Sequence, residues 1–304
     1  MIERGIGETR AILVEGGEIV EARVMVDGQV SAGSVLRAKL KTVGRNAVAV
    51  AGDVEYLLPK GAPGVTQGAT LAIEITREAI NTEGWKRPLA RVTDKAPSSV
   101  AMVAGEILPS TSTMFDEVSW PDLIEEARSG IISFRGGELR IAVTPAMTLI
   151  DVDGALPPNE LAIAGARASA EAIRRHGISG SIGIDLPTDR SKAARHAAAE
   201  KIDATLPQPF ERTAVNGFGF VQIVRPRRHA SLLELALDRP AFEARALLRL
   251  ASRMTGRVEL VAHPLLIAAV QPDWVDQLAE RIGGTVSLRA DPSLGIAGGH
   301  AVRR

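Results

Sequence analysis

Between Ser34 and Val92 the chain is a succession of short runs in which every second residue is apolar, with glycine between the runs. In "SVLRAKLKTV", Leu36, Ala38 and Leu40 fall on one side of an extended backbone, and Arg37, Lys39 and Lys41 on the other. "NAVAVAGDVEYLLP", "ATLAIEITREAI" and "KRPLARV" continue the pattern. The spacing predicts about five strands within roughly 60 residues, which suits a small closed β-barrel of the OB type. Just upstream, "RAILVEGGEIVEARVMV" holds two more such runs around Gly16-Gly17, a hairpin signal.

From Phe134 onward the texture changes to α/β. "ELRIAVTPAMTLIDV" reads as two strands around Thr144-Pro145, and "PNELAIAGARASAEAIRRHG" as a helix ending at Gly177. "SGSIGIDL" is a short, nearly continuous apolar strand of the buried type. "TDRSKAARHAAAEKIDATL" is an Ala-rich helix with Thr188 as its expected N-cap, and "ERTAVNGFGFVQIVRPR" is a further strand pair. Between barrel and α/β region, Thr93–Met114 reads as a connection, and "SWPDLIEEARSG" as a helix capped by Ser119 and ended by Gly130. The tail alternates helices with the strands "RVELVAH" and "TVSLRAD", which predicts a small α/β appendage.

Composition narrows the functional classes. The chain of 304 residues, 45% of them apolar, has room for at least two domains with their own cores. It has 36 basic and 36 acidic residues, so an anionic partner must be held by local patches rather than by the overall field. There is no cysteine, which excludes disulfides, thiolate metal sites and cysteine nucleophiles. The five histidines show no i/i+4 metal spacing, and the glycine-rich stretches match no phosphate-binding loop. The N-terminal segment lacks a signal-peptide core, and "ELVAHPLLIAAVQPDWV" is broken by His263 and Pro264. A soluble, cytoplasmic protein with no membrane span is expected.

Two apolar runs end abruptly in acid: "TLIDVDG" at Asp151 and Asp153, and "SGSIGIDL" at Asp185. In α/β sheets, ligands bind beyond the carboxyl ends of strands. If the two strands are neighbours, their carboxylates lie close together and repel unless a cation intervenes. Mg²⁺, which takes hard oxygen ligands, is the usual answer. Aspartates in these places also serve as turn formers and helix caps, and Asp153 in the turn-rich "VDGALPPNE" fits that role well. Two basic groups stand out. Arg225, Arg227 and Arg228 in "IVRPRRHAS" sit just past a strand and suit phosphate oxygens, though a solvated strand end explains them equally. Arg37, Lys39 and Lys41 form a one-faced row, either a wet strand face or a track for a single strand.

The residues themselves suggest more. "FRGGELRIAVTPAMTLIDVDG" resembles the segment that carries the first metal-binding aspartate in the ribonuclease E/G family. "EAIRRHGISGSIGIDL" is similar to that family's next helix and its second metal-binding strand. "TAVNGFGFVQIVRPRRHASLLELAL" resembles the strand that follows, and "GSVLRAKLKTVGRNAVAVAGDVEYLLP" the RNA-binding OB domain near the family's N-terminus. The resemblance implies an OB-type barrel inserted into an RNase H/DNase I-like α/β domain. It also implies Mg²⁺ held by Asp151 and Asp185 with Asp153 beside them, RNA contacts at Lys86, and cleavage of single-stranded RNA to 5′-phosphate and 3′-hydroxyl ends. The implied domains are 1–30, as strands packing on the α/β domain; 31–95, the barrel; 96–230, the α/β catalytic-type domain; and 231–304, the small C-terminal domain.

Three departures accompany the resemblance. Asp153 stands where the family usually has Asn, adding a charge to the cluster. The barrel offers Val48 and Leu57 where the family stacks a base on aromatics, with Tyr56 only adjacent. The family's zinc-linking cysteines and its sensor for 5′-monophosphorylated ends have no counterpart here, so any homodimer is not zinc-linked. A relative that binds RNA but cleaves it weakly or not at all therefore stands as the alternative. A small-molecule α/β enzyme is a third reading, without a cofactor fingerprint to support it.

Overall fold

The structure, a computed structural model, describes residues 1–80, 87–99, 103–109 and 112–304. Along the chain, β1 (Ile2–Arg4), β2 (Glu8–Glu15) and β3 (Glu18–Val26) come first. They are followed by β4 (Val35–Thr42), β5 (Ala47–Ala51), β6 (Val54–Leu58), β7 (Thr70–Arg77) and β8 (Leu89–Val92). Next come β9 (Ile107–Leu108), α1 (Met114–Glu117), α2 (Trp120–Ser129), β10 (Ile131–Phe134), β11 (Gly137–Val143) and β12 (Thr148–Gly154). Then follow α3 (Pro158–Arg175), β13 (Gly180–Asp185), α4 (Lys192–Thr205), β14 (Glu211–Arg212) and β15 (Phe220–Arg225). The chain finishes with α5 (Leu232–Leu237), α6 (Arg239–Ala251), β16 (Val258–Ala262), α7 (Pro264–Ala269), α8 (Pro272–Ile282), β17 (Val286–Ala290) and β18 (His300–Arg303). These elements divide into two compact units: residues 28–104 with 129–234, and residues 1–27 with 105–128 and 235–304. The general α/β class is as expected, and a closed five-stranded barrel is part of it.

In the first of these units, the barrel closes in the order β4-β5-β6-β8-β7, with β4 also paired to β7. Closure leaves none of its strands with a free edge. Its interior is filled by Ala38, Leu40, Ala47, Ala49, Tyr56, Leu58, Leu71, Ile73, Ile75 and Ala90, so small alanines offset larger Leu and Ile in a narrow space. The period-2 pattern read from the sequence is the pattern observed, with Ala38 and Leu40 inside and Arg37, Lys39 and Lys41 outside.

The same unit contains a six-stranded sheet in the order β10-β11-β12-β13-β15-β14. Only β12 and β13 run parallel, joined through α3; the other pairs are antiparallel. Helix α3 lies against β10, β11 and β12 and packs along α4. Ile150, Val152, Ile182, Ile184, Val221 and Ile223 fill the core with the Ala-rich helix faces. Close approach needs Gly165: a Cβ there would sit 2.3 Å from Val152 Cγ1. Helix α4 starts later than the sequence suggested. Its N-cap is Ser191, whose hydroxyl accepts from the Ala194 N–H at 3.3 Å, while the Thr188 hydroxyl donates to the Phe218 carbonyl at 2.9 Å.

The other unit gathers both ends of the sequence. Residues 1–27 group with the C-terminal segment rather than with residues 129–234. The reason lies in three consecutive residues. Ile6 belongs to the core built by Leu247, Leu248, Val258, Leu260, Leu266 and Leu278. Gly7 lies so close to Trp274 that a Cβ would sit 2.6 Å from its ring. Glu8 is buried and pairs with Arg245 at 3.2 Å and with Arg249. A three-stranded sheet, β17-β16-β18, and the sheet β3-β2-β1-β9 complete this unit. The β2–β3 hairpin turns at Gly16-Gly17 as expected, both with positive φ (60° and 87°). Residues 105–128 belong here too. No helix among the described residues is long and apolar enough to cross a membrane.

Candidate functional site

Strand β12 alternates strictly. Thr148, Ile150 and Val152 are buried, while Leu149, Asp151 and Asp153 are exposed. The packing of α3 at Gly165 fixes Val152 inward, and with period 2 this sends both aspartates to the opposite face. Asp151 pairs in register with Asp185 of β13, and both are exposed. Neighbouring strands lie ~4.8 Å apart, so the two side chains rise side by side from one face. The row across that face runs Ile131, Arg140, Asp151, Asp185, Phe220.

Two carboxylates at one strand spacing repel by only about 1 kcal/mol in a water-like dielectric. Because both are exposed, the pair is tolerated without a bound cation and stays open to one. Asp153, with its side chain 65% exposed, lies one position further along. Its nearest cation is Arg140, at 4.0 Å, and Arg140 also holds Glu138 at 2.6 Å. Among the described residues, no group of three or more His, Asp or Glu side chains gathers closely enough to hold a metal ion. The geometry thus brings Asp151 and Asp185 together and associates Asp153 with Arg140.

The basic residues are placed unequally. Arg225 donates to the Ile178 carbonyl at 3.0 Å. Arg227 forms an ion pair with Glu234, whose side chain is 3% exposed, and burial followed by the nearby Arg77 lowers its pKa. Its guanidinium is thus tied to the fold, which differs from the phosphate-binding role expected for it. Arg228 is exposed, and its backbone carbonyl accepts from the Glu78 N–H at 2.7 Å. On the barrel, Lys41 pairs with Glu55 at 2.5 Å, whereas Arg37 and Lys39 are exposed with no ion-pair partner among the described residues. Val48 and Leu57 are cross-strand partners, half-buried, and Tyr56 points into the barrel core. Lys86 lies outside the described residues.

Two residues escaped the sequence reading. Arg140 is one; its signal was the alternation of β11 and its place opposite Asp151. Phe218 is the other, an aromatic ring 80% exposed at the same end of the sheet as Asp185. Its loop is firmly built: Asn216 Oδ1 accepts the N–H groups of Phe218 (2.9 Å) and Phe220 (3.1 Å), and Thr188 holds the Phe218 carbonyl. An apolar residue inside the turn-forming "NGFG" was the available cue. No family model matches the chain, and no curated protein matches it.

Proposed function

We propose that the open face of the six-stranded sheet is a divalent-metal site for hydrolysing single-stranded RNA, with the barrel serving to bind the strand. The observation that carries this reading is the in-register pairing of Asp151 with Asp185 on an exposed face. Two carboxylates side by side, open to water, suit Mg²⁺, which keeps several waters and takes one or two carboxylates. Bound there, Mg²⁺ would supply Lewis-acid stabilisation of the scissile phosphate and a more acidic water.

The chain's own groups complete the assignment. Asp151 and Asp185 would hold the ion through their oxygens, and Asp153 sits beside them. Arg140 presents a guanidinium on the same face for phosphate oxygens. Phe218 offers a stacking surface, worth ~1–3 kcal/mol per base. Arg37, Lys39 and Arg228 supply sequence-independent phosphate contacts. The barrel's strand order supports an OB-type assignment, and the ordered motifs support kinship with the ribonuclease E/G family. The reading includes 5′-phosphate and 3′-hydroxyl products and a cytoplasmic setting.

The test is cleavage of a labelled single-stranded RNA during a Mg²⁺ titration, with wild type, Asp151→Asn and Asp185→Ala compared. Mg²⁺-dependent turnover lost in both variants is expected; undiminished cleavage by either variant sinks the assignment. A second reading, an RNA-binding protein without turnover, is favoured by the engagement of Asp153 with Arg140 and by the absence of a third converging acid among the described residues. It predicts salt-dependent RNA affinity with no Mg²⁺-dependent cleavage.

A further inference from the structure

In the unit formed by residues 1–27, 105–128 and 235–304, a cavity of about 180 Å³ is lined by four arginines: Arg10, Arg128, Arg249 and Arg253. The rest of its wall is mainly apolar, with Trp120, Ile124 and Leu250, and Asp116 is its single acid. By such a measure one water needs roughly 10–15 Å³, so the space accommodates a group much larger than water.

The charges are layered. Arg10 pairs with Glu3 at 2.6 Å, Arg128 with Glu243 at 2.5 Å, and Arg249 with Glu8. None of these three carboxylates lines the cavity, although all three of their arginines do. The acids therefore hold the guanidiniums from behind. A guanidinium has five N–H donors, so one carboxylate does not use all of them. Arg10 also packs against two aromatics that meet edge to face, with its Cζ 4.3 Å from the Phe115 ring centroid and 4.7 Å from that of Trp120.

We propose that this cavity is a binding site for a phosphate group, free or carried by a small ester, held by the arginine donors that line it. Phosphate supplies multiple acceptor oxygens and a charge that suits several guanidiniums at once. The apolar part of the wall suits the short carbon skeleton of an ester. Burial, and then the neighbouring Arg249, hold the Arg10 pKa down to about 10, so an entering anion relieves a repulsion already present. The site is independent of the Asp151–Asp185 face.

Calorimetric titration of the full chain with inorganic phosphate and with glycerol 1-phosphate tests the proposal. Binding of either is expected, and the tighter of the two identifies the source. Arg253→Gln removes the most exposed of the four guanidiniums, whose partner Asp116 is itself partly exposed, so the fold survives. Leu250→Glu sets a repelling carboxylate on the exposed part of the wall. Each is expected to weaken binding about tenfold, while Arg289→Gln, whose partners are Glu259 and Asp291, leaves it unchanged. Affinity no tighter than about 1 mM for both ligands, or equal weakening in all three variants, would overturn the site.

Discussion

The open sheet face and the cluster around Glu8 treat charge in opposite ways. On the open sheet, Asp151 and Asp185 stand side by side in solvent with no ion-pair partner among the described residues. Around Glu8, acids and arginines are buried and interlocked: Glu8 with Arg245 and Arg249, Glu3 with Arg10, Glu243 with Arg128. Exposed like charges cost little and remain available, whereas buried charges are tolerable only when paired. The contrast separates charges that can meet an outside partner from charges that hold the fold together.

Substitution at the two places should therefore act on different quantities. Glu8→Ala leaves two buried guanidiniums without their acid and is expected to cost about 3–5 kcal/mol, read as a lowered denaturant midpoint at unchanged slope. Beneath the open face, packing matters rather than charge. Gly165→Ala drives a methyl into Val152 and is expected to cost about 1–3 kcal/mol, again by denaturant unfolding. An intermediate case is Asp203, whose bidentate bond with Arg212 lies at 2.7 and 2.5 Å. That hydrogen bond holds its carboxyl below the ordinary value of 3.8. Its contribution is thus complete above pH 3.8 and is lost as pH falls through the lower folded value. Asp203 is half-exposed, so Asp203→Asn should cost less than about 1 kcal/mol near neutrality, with the difference from wild type closing in acid. The smallest effect is expected from Asp185→Asn, within about 0.5 kcal/mol of wild type. A large loss of stability there would break the comparison, because the acid would then be structural.

How much of this was legible follows from the range of each interaction. Period-2 alternation is local, so the barrel strands, the β2–β3 hairpin and the outward aspartates could be read residue by residue. That Asp151 and Asp185 share a face was conditional on their strands being neighbours, which the intervening helix α3 makes natural. Long-range pairing was not legible. Glu8 and Arg249 are 241 positions apart, and nothing near Glu8 announces its partner. Arg227 looked like a free phosphate donor because Glu234, seven residues on, reads as one acid of an ordinary amphipathic helix. The displaced N-cap of α4 reflects competition between two hydroxyls: Thr188 is drawn to the Phe218 carbonyl, and Ser191 takes the cap. The grouping of residues 1–27 with the C-terminal segment has the same origin, a few apolar and charged contacts with distant segments.

Tyr56 is the chain's one tyrosine, and it sits in the barrel core at 3% exposure. Burial raises its phenol above the ordinary value of 10. Ultraviolet absorbance of tyrosinate thus becomes a label-free clock for a single region: at a given mildly alkaline pH the signal grows when those five strands part, because the freed phenol ionises more readily.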